Sequence, residues 1–385
     1  MGIDELYPPD RLTAAQRATA AAGLDALLLT PGSDLRYLTG YDAHAGERLT
    51  CLVLPAEGEP TLVVPRLERP AAEASPAPAT GVRIVDHVDG TDPYPLVVAA
   101  LDGPVAAVGL ADRMWAEQVL GLRAALPYAA QRLAGEVLRE LRIRKSPAEV
   151  AALAEAGAAL AEAGAALAEA GAAIDEVHLR MGEWLRPGRT EAEVATDIAA
   201  AIRAAGHVTV DFVIVAAGPN GASPHHGTSD RPIGVGEPVV VDIGGTMASG
   251  YRSDCTRTYL AGGAAPADFL DYYTVLRDAQ RAAVEAVRPG ITATAADASA
   301  RAPIAAAGYG PAFLHRTGHG IGLDGHEEPY LVAGNDRPLE AGMAFSIEPG
   351  IYLAGRHGAR IEDIVVCTTD GVQQLNTTPT ELIAL

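Results

Sequence analysis

Four carboxylates interrupt runs that otherwise read as apolar strands. Val239-Val240-Val241-Asp242-Ile243-Gly244 carries an acid inside a core-like segment, and twelve residues later, past the turn-like stretch 244–250, comes Ser253-Asp254-Cys255-Thr256. The pattern recurs in Phe345-Ser346-Ile347-Glu348-Pro349-Gly350 and, fourteen residues on from Glu348, in Arg360-Ile361-Glu362-Asp363-Ile364. A hairpin would bring the members of each pair together. An ionised carboxylate buried without a partner is costly, so four of them require protons, arginines or metal ions.

Histidines lie between the two pairs and upstream of them. His315-Arg316-Thr317-Gly318-His319-Gly320-Ile321-Gly322 separates the hairpins, His326 follows, and Pro224-His225-His226-Gly227 precedes. Alone, a buried Asp on a strand is ordinarily a salt-bridge partner or a strand-end cap. Two acid-bearing hairpins with His319 between them point instead to metal. Four carboxylates balance two divalent ions, and an oxygen-dominated set with one imidazole suits Mn²⁺ better than a thiolate-rich zinc site. A bridged pair would make hydroxide available near neutral pH. Taken singly, His226 and His315 read as hydrogen-bonded or surface residues, whereas His225 and His326, clustered with glycines near the acids, read as functional. Gly318, Gly320 and Gly322 suggest close backbone packing at the metal rather than a dinucleotide loop, and His326-Glu327-Glu328-Pro329-Tyr330 is not HExxH.

The elements that must position these groups divide the chain in two. Strand-like runs at 26–29, 52–54, 61–64, 82–85 and 105–108, with helical stretches at 12–22 and 112–125, read as a small α/β domain in which the proline- and alanine-rich stretch 70–80 is a surface loop. Residues 133–144 are helical, and Ser146-Pro147-Ala148-Glu149 reads as the start of a new helix. Residues 154–160, 161–167 and 168–174 are three tandem heptads of the form AEAGAAL. Whole heptads lengthen a helix without reversing its buried face. Beyond the helix at 190–205, strands at 208–217, 237–243, 255–260, 343–352 and 360–366 with helices at 266–288 and 293–306 indicate an α+β domain built on an antiparallel sheet.

Composition closes off other chemistries. The chain has 385 residues, 49 acidic against 29 basic side chains and a net charge of −20, which argues against nucleic acid and anionic membrane as partners. Its single lysine, Lys145, follows no glycine-rich turn, so a phosphate-binding loop is excluded and Schiff-base chemistry nearly so. Cys51, Cys255 and Cys367 are widely spaced and fit a reducing, cytoplasmic setting. No signal peptide or membrane-spanning run is evident.

Asp242, Asp254, His319, Glu348 and Glu362, in the contexts VDIGG, SDCTRT, HRTGHGIGLDGHE, SIEPGIY and RIEDIVV, resemble the five metal ligands of the pita-bread metallopeptidases, in their Xaa-Pro dipeptidase (prolidase) and aminopeptidase P branch. The resemblance implies an α+β pita-bread catalytic domain over 147–385, a creatinase-like α/β domain over 1–133 and a linker helix at 134–146. It further implies two divalent ions, Mn²⁺ foremost with Co²⁺ or Zn²⁺ as alternatives, and a bridging hydroxide as nucleophile. Glu348 would also shuttle a proton, and His225 and His326 would hold the substrate carbonyl and the tetrahedral intermediate. His315 would shape a proline pocket, and Arg360 would orient the carboxylates. The substrate would be a proline-containing dipeptide or, in an aminopeptidase, a longer peptide; the assembly would be a homodimer. Arg337 is a candidate for reading a dipeptide's free carboxylate. A metal-dependent osmolyte hydrolase or lyase and a non-catalytic binding module are the competing readings. The sequence departs from the pattern in carrying about two surplus heptads.

Overall fold

The computed structural model of the chain describes residues 3–157 and 173–385, so most of the tandem-heptad expectation falls outside the described residues. The chain divides into two units, Met1–Arg142 and Ile143–Leu385.

In the first unit, strands β1 (Ala26–Leu29), β2 (Cys51–Pro55), β3 (Thr61–Pro65), β4 (Arg83–His87), β5 (Ala107–Leu110) and β6 (Ala130–Leu133) form one mixed sheet in the order β4-β3-β2-β1-β5-β6. Every residue of β1, β2 and β3 is buried. A strand covered on both faces has no polar side to show, so these three read as continuous apolar runs. Edge strand β6, Ala-Gln-Arg-Leu, is largely exposed and gave no such signal. The expected loop at 70–80 is corrected: it folds mostly as a helix, Arg69–Ala74, and a 3₁₀ turn, Ala77–Thr80. Pro70 and Pro78 sit in first turns, where a missing N–H leaves no helical hydrogen bond unmade.

The second unit contains β7 (Thr209–Ala217), β8 (Glu237–Thr246), β9 (Arg252–Ala261), β10 (Gly318–Gly320), β11 (Glu327–Leu331), β12 (Ala344–Ile347), β13 (Gly350–Leu353), β14 (His357–Arg360), β15 (Asp363–Cys367), β16 (Val372–Gln374) and β17 (Ile383–Ala384). Two main sheets run β17-β9-β8-β7 and β11-β10-β12-β15-β16, with β13 and β14 as a separate ribbon. All pairings except β17 with β9 are antiparallel. A bridge between Thr256 and Glu362 stitches β9 to the residue preceding β15. Helix starts follow the local chemistry. Thr190 and Glu193 form a reciprocal capping box ahead of Glu191–Ala204, Ser146 and Glu149 exchange the same two bonds at Pro147, and Thr292 caps Ala293–Ala306.

Two cores hold this unit. Ile174, Val177, Val194, Ile198 and Ile202 pack on Val215, Val239, Val241, Ile243 and Cys255, while Phe269, Tyr272, Leu276, Ala296 and Ile304 pack on Phe345, Ile347 and Ile351. Among the described residues no helix is long and apolar enough to cross a membrane.

Candidate metal centre

Strand alternation aims the first two acids. Val239, Val241 and Ile243 point into the helix-covered core, so Asp242 faces the opposite side of the sheet. In the ladder Ile214 pairs with Asp242 and Asp242 with Thr256, while Phe212 pairs with Gly244 and Gly244 with Asp254. These six positions therefore share one face. A bulge between Val210 and Phe212 sets that register, and the extra residue, Asp211, accepts from Thr246 and pairs with Arg252 at 2.8 Å. Gly244 is required here because a Cβ would lie 2.5 Å from the Phe212 ring and from the Ser253 carbonyl.

The second pair is placed differently. The single hairpin expected over 343–366 runs as two ladders, β12 with β15 and β13 with β14, and both acids stand at the interruption. Pro349 has no N–H to offer there. Instead the Glu348 N–H donates to Thr317 O at 2.8 Å and the Glu362 N–H to Thr256 O at 3.1 Å.

His319 comes from β10, whose glycines admit the backbone: a Cβ would lie 1.9 Å from Ser346 O at Gly318 and 2.2 Å from Glu328 O at Gly320. Nδ1–H of His319 donates to Gly320 O at 3.2 Å, which leaves the Nε2 lone pair facing the acids. Nε2 lies 3.2 Å from Glu348 Oε1 and 3.7 Å from Asp254 Oδ2. Ligating atoms of Asp254, His319 and Glu362 all fall within 4.8 Å of one another.

The electrostatics of this cluster favour protons or cations. Burial, then the neighbouring acids, holds the Asp254 and Glu362 carboxyls well above the usual carboxylate range, and burial pushes Glu348 to about 7. Burial also drives His319 down to about 3, so its imidazole is neutral. Asp242 Oδ2 accepts from Arg360 Nη2 at 2.6 Å, but Oδ1 is buried with no hydrogen-bond partner. An orphaned carboxylate oxygen, a neutral imidazole and mutually repelling acids fit divalent metal ions.

Nine of the residues named from the sequence, Asp242, Asp254, His319, Glu348, Glu362, His225, His315, His326 and Arg360, line one cavity of about 430 Å³, together with Phe212, Ile214, Pro224 and Arg316. Arg360 is buried there, and its Nη1 donates to Tyr352 OH at 2.8 Å. The Tyr352 hydroxyl lies 2.9 Å from His315 Nε2, and His315 Nδ1 lies 2.7 Å from Arg316 O. A carbonyl can only accept, so Nδ1 carries the hydrogen and Nε2 accepts from Tyr352. Burial lowers His315 to about 4, keeping it neutral. The His326 ring lies 3.9 Å from the His319 ring, edge to face. His225 is exposed on the cavity wall.

Residues 165–369 match metallopeptidase family M24, and residues 11–144 match the creatinase/prolidase N-terminal domain. The chain belongs to family M24. It is 54% identical over 375 residues to the probable dipeptidase PepE of Mycobacterium bovis, covering 97% of this chain and 96% of the relative. It is 35% identical to an Xaa-Pro dipeptidase of Lactobacillus delbrueckii subsp. lactis, with 94% and 95% covered. The crystal structure of dipeptidase PepE from Mycobacterium ulcerans superposes with a TM-score of 0.89 at 55% identity, covering 100% of this chain and 99% of that one. This M24 enzyme is thus a metal-dependent peptidase, with a creatinase-type domain preceding a pita-bread domain.

Within the M24 domain some neighbours of the motif stand apart from the site. His226 Nε2 lies 3.0 Å from Glu191, a buried carboxylate that also accepts from Ala217 N and Ser229 Oγ, so it anchors a loop. Arg337 is not among the lining residues; its carbonyl accepts from Ala293 N. Sequence reasoning passed over Phe212 and Ile214, whose facing depends on a bulge that no local pattern announced. It also passed over Tyr352 and Arg316, although Arg316 lies between two histidines it had singled out.

Proposed function

We propose that this M24 peptidase hydrolyses the bond preceding proline in Xaa-Pro dipeptides, using two divalent ions, Mn²⁺ foremost, held by Asp242, Asp254, His319, Glu348 and Glu362. The observation that carries the reading is the convergence of these five side chains, one with an orphaned oxygen, on a single cavity. Bound there, the ions would activate a water as nucleophile and polarise the scissile carbonyl.

The chain's own groups would do the rest. Arg360 fixes Asp242 through Oδ2 and leaves Oδ1 for metal. Thr256 Oγ1 donates to Glu362 Oε2 at 2.7 Å and Ser346 Oγ to Glu348 Oε1 at 3.1 Å, holding both carboxylates in place. Glu348 would carry a proton toward the departing imino nitrogen. His225 and His326, both exposed on the cavity wall, would hold the substrate carbonyl and stabilise the tetrahedral oxyanion. Phe212, Ile214 and the His315 ring offer an apolar wall for a pyrrolidine. The same reading takes the enzyme as a cytoplasmic homodimer, and its three free, buried thiols suit a reducing compartment.

The test is hydrolysis of an Xaa-Pro dipeptide and an Xaa-Pro-Yaa tripeptide by metal-stripped enzyme, with and without added Mn²⁺. Metal-restored cleavage of the dipeptide is expected. Cleavage of the tripeptide instead would make the enzyme an aminopeptidase, and cleavage of neither would favour an osmolyte hydrolase.

A further inference from the structure

His326 ends the loop 321–326, which joins β10 to β11. The ladder beneath it is broken: His319 pairs with Tyr330 but Gly320 with Glu327, so Glu328 and Pro329 are extra residues on β11, and Pro329 brings no N–H. Backbone pairing alone therefore does not fix the direction in which His326 leaves the sheet. Groups from elsewhere hold the loop at two places. Arg252 on β9 donates through its backbone N–H to Gly322 O and through Nε to Leu323 O, both at 3.1 Å. Glu327, the residue after His326, holds the other half: its Oε2 accepts from the Asp324 N–H at 3.4 Å, and its Oε1 lies 2.5 Å from Lys145 Nζ.

Lys145 is an unusual residue in this chain. Of 29 basic side chains it is the single lysine, and its side chain is 1% exposed. An ammonium is a compact point charge on a thin stem, the cation that a closed slot admits where a planar guanidinium fork needs more room. Its backbone is held on both sides. The Lys145 N–H donates to Gly342 O at 2.8 Å, Arg144 bridges to Met343, and Ser146 and Glu149 close the helix cap that follows. A buried ion pair is weak evidence of net stability, because desolvation offsets most of the attraction. What this one fixes is geometry. The Glu327 carboxylate is drawn to a stationary cation, and Gly322 leaves room for it, since a Cβ there would fall 2.8 Å from Oε1.

Resting on the reading of His326 as a group that stabilises the tetrahedral oxyanion, we infer that Lys145 is a positioning residue that anchors the His326 loop. Its ammonium holds Glu327, and Glu327 holds the end of the loop. His326 is thereby kept at the cavity wall, edge to face against His319 with ring centroids 3.9 Å apart. Lys145 itself is not among the residues that line the cavity and acts through this chain of contacts.

The experiment measures kcat and KM on Ala-Pro for Mn²⁺-loaded wild type, Lys145→Met, His326→Ala and the double variant, with bound Mn²⁺ quantified and amide exchange followed by mass spectrometry. Lys145→Met should lower kcat roughly 10- to 100-fold, the scale of a catalytic group misplaced by about 1 Å, with bound Mn²⁺ unchanged and KM within about twofold. Once His326 is gone the same substitution should cost no more than about twofold, since the group it misplaces is absent. A loss of full size in both backgrounds would overturn the inference and make Lys145 a support of the fold. Amide exchange reads the anchor without turnover: Lys145→Met should accelerate it about tenfold or more in 321–328 and leave 218–229, which carries His225, as in wild type. Should Lys145→Met fail to fold, Glu327→Gln, which removes the other charge and keeps the shape, takes its place with the same expectations. If wild type does not cleave Ala-Pro, or if His326→Ala is fully active, the catalytic reading falls while a local change in exchange upholds the anchor. Exchange unaltered in 321–328, or raised equally in 218–229, sinks the anchor.

Discussion

Glu362 and Asp363 are adjacent acids in one segment, both buried, and they meet opposite environments. Asp363 Oδ1 pairs with Arg257 Nη2 at 2.6 Å, and Oδ2 accepts from Gln280 Nε2 at 2.8 Å. Arg257 in turn donates to the carbonyls of Thr256, Glu362, Thr378 and Pro379. The Arg257 guanidinium and both Asp363 oxygens thus find their complements within the protein. Glu362, one residue away, faces Asp254 and Glu348, and burial with those neighbours raises its pKa. The contrast separates a buried charge neutralised by a cationic partner from one whose charged neighbours include like-charged carboxylates, the arrangement that a proton or a bound cation would relieve.

Substitution at the two places should break this contrast in opposite directions. Asp254→Asn is expected to cut hydrolysis on the order of 10³-fold or more and sharply reduce bound Mn²⁺. The metal-free variant should nevertheless melt no lower than metal-free wild type, because one of several mutually repelling acids is gone. Metal analysis and calorimetry check this, and wild-type activity in the variant would sink the dinuclear reading. Asp363→Asn should instead destabilise the fold by about 3–5 kcal/mol, since Arg257 would be left buried without its partner. Added Mn²⁺ should still raise its melting temperature, by the mass-action stabilisation of about 2.7 kcal/mol at one hundred times the dissociation constant. If Mn²⁺ stabilises Asp254→Asn as strongly as Asp363→Asn, the two clusters do not differ in the way argued.

That difference was only partly legible beforehand. Asp242 and Asp254 could be read because each breaks an apolar strand and a glycine-rich turn separates them. In RIEDIVV two acids compete, and local pattern alone does not say which enters the cavity; family resemblance singled out Glu362. The physical reason lies outside the segment, in the Thr256 bridge that turns Glu362 inward and in Arg257, which claims Asp363 from another sheet. The same limit explains Phe212, Ile214 and Arg316. Their facing is set by a bulge and by a ring on a neighbouring strand. Core strands β1, β2 and β3 were legible because burial on both faces leaves a continuous apolar run, whereas the exposed edge strand β6 left no trace.

A smaller effect should come from His178, which sits outside the cavity with Nδ1 2.9 Å from Tyr259 OH and Nε2 3.1 Å from Cys255 O. Burial lowers its pKa to about 4, below the value near 6.5 expected in the unfolded chain. The folded state therefore binds fewer protons in that window. The stabilisation is present above about pH 6.5 and is lost as pH falls toward 4. Thermal melts of Mn²⁺-loaded enzyme should show this decline, and His178→Gln should flatten part of it. An unchanged slope would assign the loss to His315 or to the carboxylates.

The smallest change is expected from deleting residues 154–167, two whole heptads. The described helices Pro147–Gly157 and Ala173–Leu179 contact each other. The deletion also places Ala168-Glu169-Ala170-Gly171 directly after Leu153, restoring the Ala-Glu-Ala-Gly that follows it in the intact chain. The buried Ala154 is thereby replaced by an identical residue in the same helical phase. Activity within about twofold and a melting temperature within a few degrees of wild type are expected, the range of substitutions that leave a core unaltered. Aggregation of the deletion variant would show that the repeat contributes buried surface of its own.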